Sequence, residues 1–245
     1  MITCSFVFLE RVSRKKERSF WQQGIKDWPA FLKASKIRGI SNLKKAYYSR
    51  KIQEAQRAVY DNRADYFVGR LPAQEMWRLY PRFKDECCFL DIETNGSGQV
   101  IVLGISNYYT TKTYVKGINL DCQAIEQELQ KFKMAVTFNG SSFDLPKLKK
   151  LGITILLPHI DLKPLCVNVG LTGGLKEIER VLHLRRPAHL YGHPIDLWKA
   201  FHASGDREYL DLLIDYNKED CENLKGVMDW IYPRLRTSLY EGLSF

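Results

Sequence analysis

The chain has 245 residues, 45% of them hydrophobic and 27% charged, with 16 glycines and 9 prolines. That excludes collagen-like and disordered chains and fits one large or two small globular domains that need no disulfide staples. The net charge of +9 is uneven: residues 1–85 carry 19 Lys plus Arg against 8 Asp plus Glu, and residues 86–245 carry 18 against 20. Such asymmetry implies a basic arm or small domain that holds a polyanion beside a domain with another task; a merely solvated basic helix is the alternative.

In chain order, the first third predicts helices. Residues 15–23 and 30–35 are short patterned stretches around a turn at 24–29. A longer helix runs from an N-cap at Ser41 to about Phe67, with Leu43, Ala46, Tyr47, Ala55, Ala58 and Val59 at helical spacing. Gly69, Pro72 and Pro81 break that pattern. From Cys87 the period changes: residues 87–93, 99–106 and 112–116 read as three strands of an antiparallel meander. A helix over 121–132, a strand over 135–139, a helix over 142–151 and a short fifth strand over 153–157 follow. Helices over 174–184, 195–202 and 206–230 complete the chain, which predicts an α/β fold, a mixed sheet flanked by helices. No apolar run approaches the roughly 18 to 20 residues that span a bilayer, so no membrane is expected as a partner.

The six cysteines are scattered, without a C-x-x-C pair, and read as reduced thiols. Arg11, Arg14, Lys15 and Lys16 follow the mildly apolar start rather than precede it, the reverse of a secretion signal. A cytoplasmic protein is expected. The five histidines form no pattern that suits zinc.

Three motifs carry chemistry. In Phe89-Leu90-Asp91-Ile92-Glu93-Thr94 an apolar strand ends in two acids one residue apart, which strand periodicity places on one face. Adjacent carboxylates repel unless a cation offsets them, and Mg²⁺ or Mn²⁺ suits carboxylate oxygen; a solvated strand end is the plain alternative. In the second, Val136 to Pro146, a strand leaves through Asn139-Gly140 into a helix whose first turn holds Asp144, and taken alone that acid reads first as a simple helix cap. In the third, Tyr216 and Asp220 share one helix face and interrupt an apolar stripe marked by Leu212, Leu213 and Leu224; a core Tyr with a surface Asp is the alternative.

Taken together, D-x-E on the first strand, N-G-x-x-F-D-x-P after a later strand and Y-x-x-x-D on a late helix resemble the DEDD exonucleases of the ribonuclease H-like superfamily. The subclass is the one in which a tyrosine precedes the last aspartate. Residues 139–146 are similar to the proofreading exonuclease domain of family B DNA polymerases, and residues 159–162 and 172–179 to stand-alone YprB-type exonucleases. The resemblance covers about residues 86–235 and implies a five-stranded ribonuclease H-like sheet. By it, Asp91, Glu93, Asp144 and Asp220 are ligands of two divalent cations, Mg²⁺ or Mn²⁺, and Tyr216 orients the attacking water in 3′–5′ hydrolysis of single-stranded ends, DNA slightly ahead of RNA. Asp91 bridges the metals, Glu93 and Asp220 complete the nucleophile side, and Asp144 serves the other.

By the same resemblance Thr94, Asn139 and Phe143 line the path of the terminal nucleotides, although Phe143 also suits a core position. Lys176, after Gly173-Gly174 near a helix start, suits a phosphate; ordinary loop glycines are the alternative. Asp161 reads as a local cap or an outer acid. Two domains are expected: residues 1–82, basic, helical and nucleic-acid-binding, and residues 86–245, the nuclease. Residues 15–32 are similar to the small helical segment that precedes the nuclease in some relatives. They are distantly similar to a helix-hairpin-helix, whose hairpin glycines are replaced around Arg11-Val12-Ser13. Phe20, Trp21, Trp28 and Phe31 read as core rather than as stacking platforms. A structure-selective endonuclease and a non-catalytic binding module are the competing functions.

Overall fold

A computed structural model describes residues 1–190 and 192–242. The chain divides into two compact units, one of Met1–Lys84 with the chain end from Leu239, the other Asp85–Ser238. Residues 239–242 therefore group with the first unit: the Tyr240 ring packs 5.1 Å from that of Trp21, and Arg18 donates to the Glu241 carbonyl.

The first unit is built from helices α1 (Arg14–Trp21), α2 (Trp28–Lys33), α3 (Asn42–Tyr60) and α4 (Tyr80–Phe83), with 3₁₀ turns at Ala64–Phe67 and Ala73–Leu79. Ser13, Asp27 and Ser41 cap the first three by accepting backbone N–H bonds. The long helix is shorter than its pattern implies. It stops at Tyr60, before Asn62 at φ 57°, and Leu43 lies 86% exposed instead of facing the core. Phe20, Trp21, Trp28 and Phe31 are all buried, so these aromatics are core. Among them sits a buried ionic knot: Arg78 donates to Glu17 at 2.9 Å and to Glu75 at 2.7 Å, and Glu17 also accepts the Phe6 N–H at 2.6 Å. Pairing and hydrogen bonding together make such buried charge tolerable.

The second unit contains strands β1 (Cys87–Thr94), β2 (Val100–Ser106), β3 (Thr111–Val115), β4 (Met134–Thr137) and β5 (His159–Asp161). Its helices are α5 (Cys122–Leu129), α6 (Asp144–Lys150), α7 (Leu162–Asn168), α8 (Leu175–Val181), α9 (Pro194–Ser204) and, for most of its length, α10 (Arg207–Tyr240). The sheet order is β3-β2-β1-β4-β5, with β1, β2 and β3 antiparallel and β4 and β5 added parallel to β1.

The fifth strand is not residues 153–157. That stretch alternates as a strand does, Ile153 fully buried with Ile155 and Leu157 against the core, yet its backbone joins no ladder; β4 pairs with His159–Asp161 instead. Side-chain alternation marked the apolar face, whereas the hydrogen-bond partner fixed the strand.

Strand periodicity sorts β1 onto two faces. Cys88, Leu90 and Ile92 pack with Leu103, Ile105, Ile125, Leu129 and Leu148, so α5 and α6 cover that side. On the other face Val102 and Val115 pack with Leu197 and Trp198 of α9 and Leu210 and Leu213 of α10. Asp91 and Glu93 project to this second face, where β1 already runs past the end of its pairing with β4. All six cysteines are free, and no helix among the described residues is long and apolar enough to cross a membrane.

Candidate active site

Asp91 pairs with Gly104 on β2, and a register shift between Glu93 and Thr94 ends the regular ladder. Such a bulge re-aims the side chains at a strand end. Gly104 is required here: a Cβ would fall on Asn217 Oδ1 and lie 2.5 Å from Cys221 Sγ of α10. The missing side chain lets α10 lie directly against the sheet, which brings Asp220 to the two strand acids. Carboxylate oxygens of Asp91, Glu93 and Asp220 lie within 4.8 Å of one another. Among the described residues no other group of three or more acid, His or Cys side chains is so arranged.

Asp144 opens α6, 3% exposed, and its Oδ1 accepts the Ile92 N–H at 3.2 Å. It stands beside the three-acid group rather than within it, yet its charge acts on both Asp91 and Glu93.

Burial raises the proton affinity of all four acids, and neighbouring carboxylates add to it. Burial, then Asp220, Asp144 and Glu93, push Asp91 well above the usual carboxylate range. Burial and Asp220 push Glu93 up to about 8, against the pull of Lys176. Burial pushes Asp144 up to about 7, despite two backbone N–H bonds. It pushes Asp220 up to about 6, against the pull of Arg186. Four mutually repelling carboxylates at the end of one sheet are a burden on the fold.

Hard oxygen donors held this close fit a divalent cation such as Mg²⁺ or Mn²⁺. Asp91, Glu93 and Asp220 would hold one.

Tyr216 lies one turn before Asp220 on α10, 3% exposed, and its hydroxyl is buried without a hydrogen-bond partner. Two cations flank its ring: Lys176 Nζ at 4.3 Å from the centroid and Arg186 Cζ at 5.2 Å. Lys176 thus stands at the acidic site, although its glycine pair serves another purpose. The Gly174 N–H donates to Glu177 Oε2 at 2.7 Å, so the helix caps itself with its own carboxylate where an anion would sit.

The loop between β4 and α6 is tied down from β5. Asn139 has φ 64°, and its N–H and that of Ser141 donate to Asp161 at 2.7 and 3.1 Å. Asp161 also accepts the Lys163 N–H at the start of α7, so it is both a cap and the anchor of this loop. Phe143 ends the loop 39% exposed, with Lys147 Nζ 4.8 Å from its ring centroid; it is not a core residue. Thr94 and Asn139 are both half-buried.

Three site residues escape sequence reasoning. Asn217 donates to the Asp91 carbonyl at 3.1 Å and to its Oδ2 at 2.9 Å, fixing the carboxylate. Its one signal was a poor helix former in the middle of a helix. Glu179, 3% exposed, receives Arg186 Nε at 3.0 Å and Nη2 at 2.9 Å, and Arg186 Nη2 also donates to Asp220. No local pattern marks Arg186, which follows α8 by five residues.

The family model described as the RNase_H superfamily matches residues 88–232. Among solved structures, the family B DNA polymerase from the hyperthermophilic archaeon Pyrobaculum calidifontis is similar in fold, with a TM-score of 0.50 and 15% sequence identity. The match covers 64% of this chain and 26% of the polymerase, so the chain spans about a quarter of that protein's length. No curated protein matches the chain in sequence at a significant level.

Proposed function

Because this chain belongs to the ribonuclease H superfamily, we propose that it is a divalent-metal-dependent 3′–5′ exonuclease of the DEDD type with a site tyrosine, acting on single-stranded nucleic acid ends, DNA ahead of RNA. The observation that carries this reading is the convergence of Asp91, Glu93 and Asp220 beside a buried Tyr216 hydroxyl that has no partner. A pair of bound Mg²⁺ or Mn²⁺ ions supplies Lewis-acid stabilisation of the entering and departing oxygens of a phosphodiester. Asp91, Glu93 and Asp220 would hold the ion that activates the attacking water, and Asp144, with Asp91, would hold the one that stabilises the departing oxygen.

In this reading the Tyr216 hydroxyl hydrogen-bonds the attacking water and fixes its approach. The Asn217 amide fixes Asp91 in its ligating orientation. Phe143, exposed at the loop tip, offers a ring on which a base stacks, Lys176 attracts phosphate, and Thr94 and Asn139 line the same approach. Water attack on phosphorus expels the 3′ oxygen, giving a nucleoside 5′-monophosphate and a strand one residue shorter. The basic first unit, with Phe20, Trp21, Trp28 and Phe31 occupied as core, holds the substrate through its cationic side chains on the phosphates.

The test is digestion of matched DNA and RNA oligonucleotides labelled at either end, with Mg²⁺ or Mn²⁺ and with chelator. Metal-dependent laddering from the 3′ end supports the proposal. Cutting of a circular single strand would assign an endonuclease instead, and binding without cutting a non-catalytic module.

A further inference from the structure

Arg186 stands in an unusual position for a residue at an acidic site. Its guanidinium is anchored on Glu179 through Nε and Nη2, and Asn223 Nδ2 donates to the same carboxylate at 3.2 Å. Glu179 is buried and lies outside the three-acid group, so its partner is this arginine, not a shared cation. The Nη2 that bonds Glu179 also bonds Asp220 Oδ1, while Nη1 is buried with no hydrogen-bond partner. The fork is thus saturated on one side and unsatisfied on the other, and an orphaned buried donor is costly. Asp220 meanwhile offers its carboxylate to two claimants: the guanidinium, and any cation placed among Asp91, Glu93 and Asp220.

We infer that Arg186 is a resident counterion of Asp220, held in reserve by Glu179, and that a divalent cation entering the site must displace it from that carboxylate. This rests on the metal reading above. The guanidinium competes for one ligand and repels the incoming charge across a few ångströms. Glu179 opposes that competition by giving Arg186 a second carboxylate to retire to. Arg186 acts through Asp220 and is a positioning residue.

The experiment is calorimetric titration of Mn²⁺ into the full chain without nucleic acid, for wild type, Arg186→Met and Glu179→Gln, with circular dichroism to verify folding. Arg186→Met should bind Mn²⁺ roughly tenfold more tightly, the scale of one like charge removed at close range in a partly solvated site. Glu179→Gln leaves the guanidinium Asp220 as its one carboxylate and should bind Mn²⁺ several-fold more weakly. Should the Met variant not fold, Arg186→Lys, which keeps the charge and loses the fork, should still tighten binding to a smaller degree. If both Arg186 and Glu179 variants weaken binding, Arg186 orients Asp220 as a ligand rather than competing for it, and the inference is overturned. If neither moves the affinity, it is overturned as well. Wild-type protein that takes up no Mn²⁺ would remove the metal reading itself, and this inference with it.

Discussion

At the residue scale the dominant fact is repulsion. Asp91 faces three other carboxylates, and the Asn217 amide is the neutral donor that holds its side chain. Asp91→Asn keeps an acceptor for Asn217 while removing one of the mutually repelling charges. At alkaline pH, where the site acids are ionised, the metal-free variant should therefore melt a few degrees above wild type, on the scale of 2–4 °C for each roughly 1 kcal/mol relieved. Its nuclease activity should fall by more than the roughly 10- to 100-fold that losing an outer-shell partner costs a metal site. Equal melting temperatures and an active variant would contradict both halves.

The same repulsion sets a pH dependence. Glu93, Asp144 and Asp220 titrate near 8, 7 and 6 in the folded chain, where unfolded carboxyls titrate near 4. Over that interval the folded state binds more protons than the unfolded one. Stability from these groups is therefore complete at acid pH and is lost as the pH rises to about 8. In chelator the melting temperature should decline between about pH 5 and pH 8, and Mn²⁺ should restore most at the alkaline end. A Mn²⁺ effect independent of pH would show that the acids do not titrate as a repelling group.

At the scale of elements, the site exists because α10 lies close enough to β2 and β1 for Asp220 to join the strand acids. Gly104 permits that approach, since a methyl there meets Asn217 and Cys221. Gly104→Ala should push the helix outward, cost about 1–3 kcal/mol as overpacking does, and loosen Mn²⁺ binding although no ligand has changed. Denaturant unfolding and Mn²⁺ titration of this variant check the two effects together; an unperturbed variant would mean that α10 has room to spare. The Asn139–Ser141 loop is likewise held from a distance, by a carboxylate two strands' width from β1, in addition to local bonds such as that from the Gly140 N–H to Thr137 Oγ1.

For the whole molecule, charge is divided between the two units. The first is strongly basic, and its Lys44, Arg50, Arg57 and Arg63 are exposed, Arg63 beside Asp65 at 3.0 Å. Replacing the four with Gln should raise the apparent KM for long substrates and flatten its salt dependence, by up to about one unit of log–log slope for each phosphate no longer neutralised. Turnover on short oligonucleotides should stay unchanged. Loss of turnover with an intact fold would place this unit in the chemistry rather than in substrate capture.

Local sequence determined what depends on period. Asp91 and Glu93 fall on one face because strand side chains alternate, and Tyr216 and Asp220 on one face because four residues make about one helical turn. The burial of Phe20, Trp21, Trp28 and Phe31 was equally legible, because a small unit has few other ways to form a core. Tertiary structure decided what depends on partners distant in the chain. It gave the fifth strand to His159–Asp161, because a strand is defined by the neighbour that completes its hydrogen bonds, and residues 153–157 found none. It brought Arg186 to Asp220, 34 positions away, and Asn217 to Asp91, 126 away. No periodicity links such residues. They meet where α10 packs against the sheet, a contact that depends on the whole unit.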